Sequence, residues 1–146
     1  MRLDPDNPVM ALCAAGMQVG GTPAEARLLF EQAWAARRND HEASIAAHYL
    51  ARHQATASET LKWNLLAVRH AEAVPDGEAD ELMASLYLNL GDSYLALGER
   101  ERASVAVERA AASLSALLAG GYRAFVASGI DGLRQRIAIA YGLPGV

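Results

Sequence analysis

One stretch, Ala84 to Leu117, constrains the fold more than any other: ASLYLNLGDSYLALGERERASVAVERAAASLSAL. Tyr87, Leu90, Gly91 and Tyr94 fall on one helical face, because residues three, four and seven apart share a side of a 3.6-residue turn. Ala103, Val107 and Ala110 form a second stripe with the same periodicity. Between them, Leu97-Gly98-Glu99 reads as a tight turn. The stretch therefore predicts two amphipathic helices folded back on each other.

The rest of the chain repeats this pattern at 34-residue steps. In residues 7–40, Met10, Cys13, Ala14 and Met17 take the first-helix face, and Ala26, Phe30 and Ala33 take the second. Gly20-Gly21-Thr22-Pro23 is the turn; Thr22 caps the second helix, Pro23 suits its first position and Glu25 completes a capping box. In residues 41–74, Ser44, Ala47, His48 and Ala51 face Thr60, Asn64 and Ala67. The helices are expected over about 41–54 and from Ala57-Ser58-Glu59 onward. His48 and Asn64 stand where a small and a large apolar residue are expected, so this pair is either splayed or hydrogen-bonded internally. Pro75-Asp76-Gly77 marks a turn, and a long helix is expected from about Glu78, with acids in its first turn. After Gly120-Gly121, helical segments 122–127 and 130–141 are expected, separated or kinked at Ser128-Gly129. Leu133, Ile137, Ala140 and Tyr141 would face inward, and Arg134, Gln135 and Arg136 outward, as a polar cap. Residues 1–6 and 142–146 are expected to be loosely held.

These residues resemble the tetratricopeptide repeat, whose 34-residue signature runs W-x2-L-G-x2-Y, then A-x3-F, then P. Tyr87 stands for the Trp, Leu90-Gly91 for the L-G pair, Tyr94 for the Tyr, and Ala103 and Val107 for the Ala and Phe; Ser115 departs from the terminal Pro. The resemblance implies an all-α, single-domain α-solenoid over residues 1–146. It would hold three helix-turn-helix repeats at about 7–40, 41–74 and 84–117 and a C-terminal capping helix in 118–146. It also implies a concave groove built from first helices and used for protein or peptide segments. The residues next to the packing faces line such a groove: Ala11, Leu12, Ala15 and Gln18, then Ile45, Tyr49, Arg52 and His53, then Ser85, Leu88, Asn89, Asp92 and Ala96. Tyr49, Arg52, His53, Leu88, Asn89 and Asp92 are the nominated partner-binding residues, with Arg52 suited to a carboxylate.

Composition agrees with helix: 31 alanines against five prolines. Net charge is −4 with scattered arginines, which disfavours a nucleic-acid footprint. The single cysteine, Cys13, cannot form an internal disulfide and fits a reducing, cytoplasmic setting. No apolar run reaches membrane-spanning length. No catalytic motif or metal-ligand spacing is present, and neither cofactor nor metal is expected. The expected function is a non-catalytic adaptor or assembly factor. The alternative is a small-molecule-binding protein or atypical enzyme with a polar pocket around His48, Tyr49, His53 and Asn64, and a third reading is self-association into a homodimer. Trp34 and Trp63 are read as packing residues, to be reconsidered if exposed.

Overall fold

A computed structural model describes residues 3–19 and 22–142. The described residues are helical, with no strand among them. The chain divides into two compact units, residues 1–79 and 80–146.

The first unit holds α1 (Pro8–Gln18), α2 (Pro23–Ala36), α3 (Asp40–Ala51) and α4 (Ala57–Ala73), then a 3-10 turn at Pro75–Gly77. α1 pairs with α2 and α3 with α4, while α3 also touches α1 and α2. Side-chain caps begin all four helices. Asn7 Oδ1 accepts from the Val9 and Met10 amides, and Asn39 Oδ1 and Thr56 Oγ1 accept from Glu42 N and Glu59 N. Thr22 and Glu25 form the expected reciprocal box, at 3.4 and 3.3 Å. Residues 4–7 are better held than expected, closing a turn through Asn7 N to Asp4 O at 3.2 Å. The expected Gly20-Gly21 turn, and residues 1–2 and 143–146, lie outside the described residues.

The second-helix stripe is buried as expected at Ala26, Phe30 and Ala33. The α1 face differs. Val9, Met10, Cys13 and Gly16 are buried, whereas Met17 is exposed and Ala14 half-buried. Phe30 is the cause: a Cβ on Gly16 would lie 2.6 Å from its ring, so α1 presents its residue without a side chain to the buried aromatic ring of α2. α3 departs further, since every residue from Glu42 to Ala51 is buried, not one stripe alone.

The second unit holds α5 (Asp80–Ala96), α6 (Arg100–Ala112), a 3-10 turn at Leu114–Ala116 and α7 (Gly121–Ala140), which packs on both α5 and α6. The α5–α6 turn falls at Leu97-Gly98-Glu99. Gly98 adopts φ 74°, a left-handed conformation that costs a glycine little. Glu99 N donates to Tyr94 O at 2.9 Å and Gly98 N to Leu95 O at 3.0 Å, the paired bonds of a Schellman stop. Tyr87, Leu90 and Gly91 face Ala103, Ala106, Val107 and Ala110, all of them buried. Gly91 admits both α6 and α7: a Cβ there would lie 3.5 Å from Ala103 O and Ala106 Cβ and 2.8 Å from Leu133 Cδ2.

α7 corrects three expectations. It runs unbroken through Ser128-Gly129. Gly129 is a notch and not a break, because Leu88 Cδ2 occupies the space its Cβ would take, at 2.8 Å. The buried stripe is Val126, Ile130, Leu133, Ile137 and Ala138, with Ala140 exposed. Arg134 and Arg136 do not form a free polar cap: they turn to Glu108 of α6 and Asp92 of α5. The face of α7 left free carries Phe125 and Ile139, 76% and 75% exposed.

Candidate functional site

In the first unit the nominated residues cluster at the end of α3. Tyr49 is only 4% exposed. Its ring stacks on Phe30 of α2 at 5.2 Å and 13°, and meets the edge of His48 at 5.0 Å. The His53 ring is tilted against the same Phe30 ring, 5.2 Å between centroids. Arg52 is exposed and holds its guanidinium 5.8 Å from the Tyr49 ring. Tyr49 therefore acts as a packing residue, and Arg52 and half-buried His53 are what this cluster presents to solvent.

The polar residues of α3 are satisfied within the fold. Among the described residues, no buried side-chain nitrogen or oxygen lacks a hydrogen-bond partner. His48 and Asn64 are both buried. Burial, with the nearby Arg52 charge, pushes the His48 imidazole down to about 3, so it is neutral at pH 7. The Glu42 carboxylate accepts from Arg38 NH2 at 2.6 Å, Arg38 N at 2.7 Å and Asn7 Nδ2 at 3.0 Å. Those bonds, led by the Arg38 guanidinium, hold its carboxyl at about 2 despite burial. Burial raises the Cys13 thiol to about 12, which removes its thiolate chemistry.

A second cluster in this unit was not nominated from sequence. His70 of α4 places Nδ1 2.8 Å from Asp40 Oδ1 at the start of α3. Trp34 stands edge-on to Trp63 at 5.0 Å and to His70 at 5.9 Å, with the Arg37 guanidinium 3.8 Å above its ring. Beside Asp40 a cavity of about 490 Å³ is lined by Asn39, Asp40, His41, Val74, Pro75 and Glu78. Asp40 and His70 are 30 residues apart with no periodic signal between them, so only the packing of α3 on α4 brings them together.

In the second unit, α7 lies along the nominated face of α5. Ser85 shares a short hydrogen bond with Tyr122, Leu88 fills the Gly129 notch, and Asp92 Oδ1 accepts from Arg136 at 2.5 Å. Asn89 is half-buried between these contacts in sequence. Arg134 meets Glu108 through two nitrogens, at 2.9 and 2.8 Å, a bidentate pair that also lowers the Glu108 carboxyl. Leu88 and Asp92 are thus engaged within the unit.

Among the described residues, no group of three or more His, Cys, Asp or Glu could hold a metal ion, and no helix is long and apolar enough to cross a membrane. No protein-family model, curated protein or solved structure matches the chain. The functional reading therefore rests on the residues and their packing.

Proposed function

We propose that the protein is a non-catalytic adaptor or assembly factor built from tetratricopeptide-like helix pairs, and that it binds a protein or peptide segment. One observation carries this reading. The strongest helix pairings, α1 with α2, α3 with α4 and α5 with α6, match the three 34-residue windows, with α3 and α5 starting one and four residues ahead of theirs, and two matching second-helix positions are buried in each. Those positions are Phe30 and Ala33, Asn64 and Ala67, and Val107 and Ala110. A repeat scaffold of that kind would supply rigid helix faces, which suit recognition of an extended segment.

The residues that would meet the segment are those the fold leaves accessible. Each unit offers its own contact: Arg52 and His53 in the first and, separately, Asn89 and the partly exposed edge of Asp92 in the second. Tyr49 would act through packing, by supporting Arg52 and His53 from beneath. The test is peptide-library selection on the intact chain and on a triple variant, Arg52→Glu, His53→Ala and Asn89→Ala, with circular dichroism to check its fold. Sequences enriched on the native chain and lost on the variant are expected. No enrichment, or enrichment that the variant retains, would refute the reading.

A further inference from the structure

We infer that the free face of α7 is a homodimer surface on which two copies cross antiparallel at Gly132. The observation that demands a partner is the apolar exposure of this face. Phe125 and Ile139 are about three-quarters exposed, Tyr122 is 40% exposed, and Leu118 just before the helix is 92% exposed. Large apolar side chains grouped on one helix face are uncommon on a surface that stays in water.

The occupant follows from the order of residues on that face. Phe125 and Ile139 lie two turns either side of Gly132, and Ser128 and Arg136 lie one turn either side. An antiparallel copy related by a two-fold axis through Gly132 therefore sets Phe125 against Ile139 of the second copy, and Ile139 against Phe125. It sets Ser128 against Arg136, so no like charges face each other at the centre. Self-complementarity of this kind is what a two-fold interface requires. Gly132 is independently informative. A Cβ built there meets nothing within 4 Å, so no contact inside the chain calls for glycine in the middle of a 20-residue helix. Glycine at such a position costs about 1 kcal/mol relative to alanine. A second backbone at this point gives it a use, because the absent side chain lets two helices come closer than the usual roughly 8–10 Å.

The area is sufficient for a weak dimer. At about 150–250 Å² for a large side chain, the exposed parts of Phe125, Ile139 and Tyr122 offer on the order of 350 Å² per copy. Two copies then bury under about 1,000 Å², the range of weak interfaces. This inference does not depend on the adaptor reading.

Sedimentation equilibrium on the full chain, from about 1 to about 200 µM, is the test, with a dissociation constant in the micromolar range expected for an interface of this size. Phe125→Glu and Ile139→Glu should each weaken association at least tenfold. Gly132→Leu should weaken it similarly while raising the thermal midpoint of the dilute chain, because leucine is the better helix former. A folding defect would lower that midpoint. Gly132→Cys should give a disulfide-linked dimer on mild oxidation, and exposed Arg102→Cys should not. A monomer throughout the range overturns the inference, including one that pellets with phosphatidylcholine vesicles and so marks the face as lipid-binding. A dimer that persists in both Phe125→Glu and Gly132→Leu also overturns it.

Discussion

The two units use different chemistry for the same packing problem. Each leaves a gap at a helical glycine and fills it from another helix. In the first unit the filler is a rigid ring, Phe30 against Gly16; in the second it is a branched aliphatic chain, Leu133 against Gly91 and Leu88 against Gly129. The first unit buries Glu42, Ser44, His48 and Asn64, while Ser93 is the buried polar residue of the second among those described. The second unit keeps its ion pairs, Asp92–Arg136 and Glu108–Arg134, at the surface. Buried polar groups must be matched by partners, so the first unit is the more specified and the less tolerant of the two. The second tolerates more because its core is mainly aliphatic and its charges stay hydrated.

Three measurements would break or sharpen that contrast, and the tryptophans make it accessible. Trp34 and Trp63 both lie in the first unit, so their fluorescence follows its unfolding, while far-ultraviolet circular dichroism follows the helices of both units. The largest effect is expected for Glu42→Ala. Arg38 is largely exposed and returns to water, but the buried carboxylate and its bonds from Arg38 N and Asn7 Nδ2 are lost and the Asn7 amide is left without its acceptor, which should cost about 3 kcal/mol in urea unfolding. Glu108→Ala removes an exposed pair and should cost under about 1 kcal/mol. Equal costs would remove the distinction between the units.

Acid comes second. The His48 imidazole lies near 3 in the fold, below its ordinary 6.5. Between those values the unfolded chain takes up the proton and the folded chain does not. Stability from this group is therefore full above pH 6.5 and falls as pH drops toward 3. Going from pH 7 to 5 should remove about 2 kcal/mol from the first unit, and His48→Gln should flatten that slope. Glu42 adds a later loss. Its carboxyl is held at about 2 against an ordinary 4.5, so its contribution fades only as pH falls from 4.5 toward 2. A tryptophan-detected stability that is flat from pH 7 to 5 would contradict the assignment.

The smallest effect separates ring from chain. Gly16→Ala pushes a methyl into the Phe30 ring and should destabilise by about 1 kcal/mol, overpacking outweighing the gain in helix propensity. Gly91→Ala meets the mobile end of Leu133 and should be nearly neutral. Matching midpoints for the two variants would show that the ring yields as readily as leucine.

The sequence was most informative where structure is local. The Thr22–Glu25 box, the Leu97-Gly98-Glu99 stop and the second-helix stripes depend on residues a few positions apart, and they appear where expected, except that Thr60 of the α4 stripe is only half-buried and donates back to Thr56 O. It was least informative where a distant residue decides. Nothing near Gly129 announces that Leu88 will fill its notch, so a glycine read as a helix break proves to be a contact. The same holds for the α1 face, set by Phe30, and for the end of α3. There Tyr49 reads as a groove residue by its spacing but is covered by the ring of α2. The free face of α7 was not foreseen, although Phe125 and Ile139 are plainly apolar. Which side of α7 they occupy required the packing against α5 and α6.

The Asn7 side chain joins two tasks that folding must perform at different times. Its oxygen starts α1, a local event, and its nitrogen reaches Glu42, 35 residues along the chain. Closing a loop of that length carries an entropic cost that neighbouring helix pairs avoid. The α1–α2 and α3–α4 pairs can therefore assemble from short-range contacts first, with the Asn7–Glu42 bond closing late, after the pairs have met. A bond made after the rate-limiting step governs how long the native state lasts more than how quickly it forms. By that logic Asn7 is a latch on the lifetime of the folded first unit, set near the beginning of the chain and fastened to its most buried helix.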